Sequence, residues 1–360
     1  MLKYNCVLIR CDLNVPIYDG VILDHTRIHA MLPEINHWQN QAKHVVLLSH
    51  LGRPKGKDQT FTMKPVADYL THYLQAEVPL ISWPNAALSS SLSVAENIRF
   101  FEEEDKNDAV FAKSLLEGVD HFVFDAFATA HRAHASTDQI FKFAKSFSFG
   151  ELFKKELTVV AALYQSQAPY AVILGGSKTE TKIGLLRQLV GKTDHLFLGG
   201  IVGHTFLAAR GVDMSRSMYD SKAVHMAQDI LKRADDMGVT VHLPIDGVNE
   251  QGDVCEVDQD ALFDVGPATL EAWKKVLSHV NQIVWNGPVG YYEKPMFDAS
   301  KKLGHFLLDV KANVIIAGGD TLAVVDENAN FAHKSTGGGA FLYYWEKGHF
   351  PFQESKNEEN

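Results

Sequence analysis

The chain has 360 residues, 46% apolar and 22% charged, a globular composition too long for one comfortable core, so two domains are expected. The formal net charge is −10 with no Lys/Arg block, which argues against a nucleic-acid partner. No apolar stretch reaches the roughly 18 residues of a membrane span, and the start is not a basic-then-apolar leader, so neither a membrane partner nor secretion is expected. Cys6, Cys11 and Cys255 have neither metal nor CxxC spacing, and they point to reduced thiols in a cytoplasmic protein.

In chain order, strand patterns fall at 6–10, 44–49 and 121–125, with helical patterns between them at 63–75 and 106–116. The acidic run Glu102-Glu103-Glu104-Asp105 reads as a solvated loop or helix end. A helix is expected over 151–167, with Leu152, Leu157, Val160 and Leu163 on its apolar side and Pro169 beyond it. Strands follow at 170–174, 195–198, 240–243, 282–285 and 314–317. This rhythm predicts an α/β protein with two doubly wound parallel-sheet domains joined by a helix. The expected parts are 1–150, the joining helix 151–167, a second domain at 168–345, and a tail at 346–360 returning toward the first.

The most informative stretch runs from Leu174 through Gly175, Gly176, Ser177 and Lys178 to Lys182. A buried strand stops at two glycines and an amphipathic helix begins, with Ile183, Leu185, Leu186 and Leu189 inward. Such a turn exposes backbone N–H groups at the positive end of a helix dipole and forms an anion site. Lys178 and Lys182, four apart, share a face and repel unless an anion lies between them. The segment is not a P-loop, because GxxxxGK[ST] is absent. Further glycine-rich turns stand at 199–200, 286–290, 318–321 and 337–339, three of them directly after apolar runs. Parallel sheets bring such turns to one edge, which suits a nucleotide polyphosphate.

The first half instead places basic groups after its strands. Arg10 is followed by Asp12 and Asn14, and Arg27, His50, Arg53, Arg99, His131, Arg132 and His134 come later. Arginine forks bind carboxylate and phosphate in bidentate fashion, so a small phospho-acid suits this set. Taken alone, each arginine reads first as a surface ion pair and each histidine as a satisfied structural side chain, and it is their coincidence at strand ends that favours a site.

Eight segments carry a resemblance. They are Arg-Cys-Asp-Leu-Asn-Val-Pro at 10–16, Ser-His-Leu-Gly-Arg-Pro at 49–54, Glu-Asn-Ile-Arg-Phe at 96–100 and Asp-Ala-Phe-Ala-Thr-Ala-His-Arg-Ala-His-Ala-Ser at 125–136. The others are Ile-Leu-Gly-Gly-Ser-Lys at 173–178, Val-Trp-Asn-Gly-Pro-Val-Gly at 284–290, Gly-Gly-Asp-Thr at 318–321 and Ser-Thr-Gly-Gly-Gly-Ala at 335–340. In this order, and spanning nearly the whole chain, they resemble the signature segments of the phosphoglycerate kinases. The resemblance implies reversible phosphoryl transfer between 1,3-bisphosphoglycerate and ADP, giving 3-phosphoglycerate and ATP in glycolysis. It also implies magnesium as cofactor, a monomer, a first domain for phosphoglycerate and a second for nucleotide.

Carried over by position, Asp12 and Asn14 would bind the glycerate, and Arg27, His50, Arg53, Arg99 and Arg132 its carboxylate and phosphate. Arg27 and Lys178 would embrace the moving phosphoryl group. Gly175, Lys178, Lys182, Gly200, Asn286, Glu293, Gly318, Gly319, Asp320 and Thr321 would serve the nucleotide. Among these, Glu293 would take the ribose and Asp320 the magnesium. Gly337, Gly338 and Gly339 would offer N–H groups near the transferring phosphate. Such transfer needs positioning and charge neutralisation rather than a side-chain nucleophile.

The chain departs from the family's pattern in places. The turn usually read as three glycines is Gly199-Gly200-Ile201, followed by Val202, Gly203 and His204, a stretch that borders the adenine site in the family. Ala317 and Ala168 also replace usual residues, and loops between 134 and 154 and between 243 and 264 are short. A different class stays open at this point, an idle scaffold or sensor that binds nucleotide or phosphoglycerate. The complete set of matched charged residues speaks against it.

Overall fold

The apolar runs become the central strands of two parallel sheets in the computed structural model, which describes residues 2–84, 86–163, 170–326 and 328–354. The chain divides into two compact units, Met1–Thr158 with His349–Asn360, and Val159–Gly348.

In the first unit, β1 (Tyr4–Cys11), β2 (Ala42–Leu48), β3 (Leu80–Ile81), β4 (Leu92–Ala95), β5 (His121–Asp125) and β6 (Phe147–Phe149) form one sheet ordered β3-β4-β2-β1-β5-β6. β1 pairs in parallel with β2 on one side and β5 on the other, setting Ile9 beside Leu47 and Val123. Both faces are covered, so the central strands are apolar throughout rather than alternating. Helices α1 (Thr26–Gln39) and α2 (Lys64–Leu74) bury Ile28, Met31, Ile35, Val66 and Leu70 in the core on one face. The short helix Pro351–Glu354 sets the Phe352 ring against Phe124 and Phe141.

Helix α3 (Glu151–Ala162) begins where the Asp125 carboxylate, at the end of β5, accepts the Phe153 N–H at 2.6 Å. The rest of the stretch expected to be helical, 164–167, lies outside the described residues, as do Ala168 and Pro169.

The second unit holds β7 (Tyr170–Leu174), β8 (His195–Leu198), β9 (Thr240–His242), β10 (Gln282–Asn286), β11 (Asn313–Ala317) and β12 (His333–Ser335). Their order is β9-β8-β7-β10-β11-β12. The chain winds one way from β7 and then the other way from β10, so the topological switch point lies between β7 and β10. Helices α4 (Glu180–Leu189), α5 (Gly200–Ala209), α6 (Val224–Asp236), α7 (Pro267–Leu277), α8 (Ala299–Asp309) and α9 (Gly338–Lys347) accompany this sheet. Trp273 and Trp285 anchor the core beside Leu270, Leu303 and Ile316.

Two expectations need correction. The helix read over 106–116 shortens to Ala109–Ser114, because Asn107 takes a positive φ and the Asp108 carboxylate caps the new start by accepting the Phe111 N–H at 2.7 Å. The acidic run is not simply solvated. It forms the short helix Glu102–Asp105, whose Glu104 is buried, accepting the Ser136 N–H at 2.9 Å and the Ser136 hydroxyl at 2.6 Å.

Candidate functional site

The second unit gathers its glycine-rich turns at the switch point. Gly175 donates to the Asn286 carbonyl at 3.0 Å and Gly176 to the Pro288 carbonyl at 2.7 Å, so the turns after β7 and β10 are laced together. A side chain at Gly175 would run into the Pro288 carbonyl, so only glycine permits this approach. Gly200 donates to the Val289 carbonyl at 2.6 Å, which brings in the turn after β8. A Cβ on Gly338 would stand 2.6 Å from the Gly318 Cα, so the last two turns also meet.

Polar side chains brace this assembly. The Asn286 amide donates to the Ala317 carbonyl at 2.7 Å. The buried Thr321 hydroxyl donates to the same carbonyl at 2.9 Å and accepts the Gly287 N–H at 2.7 Å. The Lys182 ammonium donates to the Gly175 carbonyl. Burial lowers its pKa to about 8, Lys178 pushes the same way, and Asp320 opposes both. Lys178 and Lys182 are therefore electrostatic neighbours, and an anion placed there relieves the strain between them. Asp320 is exposed on the short helix Gly319–Leu322, where its Oδ1 accepts from the Tyr292 hydroxyl at 3.4 Å. Gly337 precedes α9 and spends its N–H on the Ser335 hydroxyl at 3.2 Å. Gly338 and Gly339 open α9, where N–H groups have no intrahelical acceptor.

A cavity of about 520 Å³ opens beside these turns, lined by Gly176, Gly200, Asp320 and Glu293 among others. Ile201, His204, Met218, Leu262, Phe263 and Tyr291 also line it. Most of these wall residues were missed by sequence reasoning. Met218, Leu262 and Phe263 lie on irregular segments without a strand-end motif, so no local signal marks them.

The first unit has its own cluster, at the ends of β1, β2 and β5. Arg10 is fully buried, donating through Nε to the Ser136 hydroxyl at 2.9 Å and through Nη1 to the Cys11 carbonyl at 2.6 Å. Ser136 in turn donates to Glu104, so this buried guanidinium has a carboxylate behind it. Arg27, on α1, pairs with the Asp12 carboxylate at 2.6 Å. Asn14 accepts the Gly52 N–H at 2.9 Å, and Arg99 donates to the Gly52 carbonyl at 2.6 Å.

His50 is buried and its Nδ1 has no hydrogen-bond partner among the described residues. Burial drives its pKa well down, and Arg10, Arg99, Arg132 and Arg27 reinforce the effect. Burial, with Arg132 and Arg10, also lowers the Arg99 pKa to about 10. Arg132 is lowered by burial and by exposed Arg53. The unit thus gathers Arg10, Arg27, Arg53, Arg99, Arg132 and His50 into one field of positive potential, with Asp12 and Asn14 at its edge. Arg10 belongs to this field although its sequence context offered no specific role.

A doubly wound sheet with glycine turns laced together at its switch point in one unit, and a doubly wound sheet carrying an arginine field in the other, define a two-domain α/β protein built for anionic ligands. The phosphoglycerate kinase family model matches residues 1–347. A phosphoglycerate kinase of Novosphingobium aromaticivorans is 38% identical, over 96% of this chain and 94% of that protein. One of Thermus thermophilus is 36% identical over 96% and 95%. Among solved structures, phosphoglycerate kinase from Coxiella burnetii superposes with a TM-score of 0.87 at 35% identity, covering 100% of this chain and 98% of that one. The Pyrococcus horikoshii enzyme gives 0.82 at 27% identity, covering 98% and 96%. The chain belongs to the phosphoglycerate kinase family, and its activity is that of a kinase.

Proposed function

We propose that the chain catalyses reversible phosphoryl transfer between 1,3-bisphosphoglycerate and ADP, yielding 3-phosphoglycerate and ATP as a step of glycolysis. The observation that carries this reading is the arginine field around His50, whose buried Nδ1 is unsatisfied and whose mutually repelling cations call for a small polyanion. In the same reading, 1–150 binds phosphoglycerate, 168–345 binds nucleotide, and the protein works as a cytoplasmic monomer on small molecules alone. Its three cysteines are free thiols, and no described helix is long and apolar enough to cross a membrane.

The roles follow from chemistry. Asp12 and Asn14 take the glycerate hydroxyl region, Arg53, Arg99 and Arg132 neutralise carboxylate and phosphate, and His50 adds a hydrogen-bonding partner among them. Arg27 and Lys178 stabilise charge on the moving phosphoryl oxygens, where positioned cations act most strongly. Lys182 and the helix-opening N–H groups at Gly319, Gly338 and Gly339 cradle nucleotide phosphates, while Gly175, Gly200, Gly318 and Gly337, whose N–H groups bond within the turns, shape the cradle, braced by Asn286 and Thr321. Glu293 faces the ribose hydroxyls. Asp320 suits magnesium. It is an exposed carboxylate beside the phosphate turns, and magnesium is commonly held by one or two carboxylates plus substrate phosphates. When bound with nucleotide, the ion neutralises phosphate charge.

The test is a coupled assay with 3-phosphoglycerate and Mg-ATP, in which steady ADP release is expected. Binding of both substrates without turnover would favour an idle scaffold instead.

A further inference from the structure

The cavity wall carries one polar ring whose hydrogen-bonding sense is fixed. His204 lies on α5, buried, and lines the 520 Å³ cavity. Its Nδ1 stands 2.9 Å from the Met218 carbonyl. A carbonyl oxygen can only accept, so Nδ1 carries the proton. Burial holds the ring's pKa below the usual histidine value, which keeps it neutral. A neutral ring protonated at Nδ1 has a bare lone pair at Nε2.

The carbonyl that sets this tautomer is itself fixed. The Asp220 N–H donates to the Thr205 hydroxyl at 3.0 Å, and that hydroxyl donates to the Ile201 carbonyl at 2.7 Å, tying the 218–220 segment to α5. The Leu262 N–H donates to Ser217 at 2.9 Å and pins the other end. The ring is therefore presented as a preorganised acceptor among Ile201, Met218, Leu262, Phe263 and Tyr291. The cavity's guanidinium, Arg216, donates through Nη1 to the Gln259 carbonyl.

We infer that His204 reads the nucleotide base, its Nε2 accepting a hydrogen bond from an exocyclic amino group, so that the cavity selects adenine over a base with a carbonyl at that position. A few placed polar groups in an otherwise apolar pocket set specificity. A ligand carbonyl facing Nε2 would oppose two acceptors and leave both unpaired once water is excluded. A site built to pair with a substrate N–H discriminates strongly against an analogue that lacks it. The inference rests on the nucleotide-binding reading of this unit.

Calorimetric titration with Mg-ADP and Mg-IDP tests it, since the hypoxanthine of IDP carries a carbonyl in place of the amino group. The wild-type chain is expected to bind Mg-ADP about tenfold or more tighter. His204→Phe keeps the ring's bulk without the acceptor and should bring the two affinities within about threefold. Its 3-phosphoglycerate affinity should be unchanged, which shows that the variant is folded. Independently of any variant, ring ¹⁵N spectra of the free protein should report the Nδ1–H tautomer. An Nε2–H tautomer, equal wild-type affinities, or a preference that survives in His204→Phe overturns the inference while leaving the kinase reading standing. Failure of the wild type to bind either nucleotide overturns both.

Discussion

At the scale of single residues, the charges on the two units have different consequences. Arg27, paired with Asp12, and Lys178, the electrostatic neighbour of Lys182, are the cations assigned to the moving phosphoryl group. Arg27→Ala and Lys178→Ala should each lower kcat roughly 10²-fold or more, the scale for loss of one positioned transition-state donor. Arg27→Ala should leave Mg-ADP affinity nearly intact, and steady-state kinetics with nucleotide titration would show both. Near-normal turnover in either variant would remove that residue from the chemistry. His50 makes a second prediction. Burial and four arginines hold it neutral in the free protein. A bound polyanion opposes the arginines' share of that shift, though not the share due to burial, so the imidazole pKa should rise on binding and draw in a proton. Titrating 3-phosphoglycerate near pH 7 in buffers of different ionisation enthalpy should reveal uptake of a fraction of a proton, absent in His50→Gln. Buffer-independent heats in the wild type would place the anion away from His50. For folding the sign is separate. A depressed histidine pKa leaves the unfolded chain holding more protons below about pH 6.5, so this group lowers stability as pH falls through that point.

At the scale of elements, the glycine turns behave as one structure. A Cβ at Gly175 would push the turn after β7 off the Pro288 carbonyl and break the Gly175–Asn286 and Gly176–Pro288 hydrogen bonds. Gly175→Ala should weaken Mg-ADP binding at least about tenfold and leave 3-phosphoglycerate binding in place, a loss of roughly 1.4 kcal/mol or more. Unchanged nucleotide binding would mean that the turns adapt independently. These central strands were legible because burial on both faces leaves unbroken apolar runs, and 121–125, 170–174 and 195–198 were read to the residue. Two-residue β3, β4 with its Ser93, and three-residue β6 and β12 lack a run long enough to show. Glu104 was misread because nothing local reveals that Ser136, 32 residues away, supplies its two hydrogen bonds. The start of α3 carries its own pH dependence. Burial raises the Asp125 pKa to about 7 against 3.8 for the ordinary group, despite its hydrogen bond from Phe153. The folded state then holds more protons than the unfolded one between about pH 4 and 7, so this contribution to stability is lost as pH rises through that window. Asp125→Asn keeps an acceptor and stays neutral. Urea midpoints should therefore favour the variant over wild type more at pH 8 than at pH 5, and an equal difference at both would show that the carboxyl ionises normally.

At the scale of the whole molecule, the sequence separated basic groups in one half from glycine turns in the other, and the fold keeps each set within its own compact unit. The ordered motifs were legible because their residues sit at strand ends, where backbone geometry restricts what the chain can tolerate. The cavity walls were not, because Met218, Leu262 and Phe263 are assembled from distant segments by tertiary packing. This separation predicts a division of labour that hydrogen exchange can read. A ligand that binds only the folded form of a region stabilises it against opening, and a local site passes that protection first to the segments it touches. With 3-phosphoglycerate alone, slowing should concentrate at 12–16, 50–53, 97–100 and 131–136. With Mg-ADP alone, it should concentrate at 174–178, 199–204, 287–293 and 318–321. Neither ligand should reproduce the other's pattern, because each field is complete within its unit: the arginines and His50 in one, the laced turns and the cavity in the other. Protection of the glycine turns by 3-phosphoglycerate alone, with none at the arginine field, would reverse the assignment of substrates to units. It would do so whatever the measured turnover.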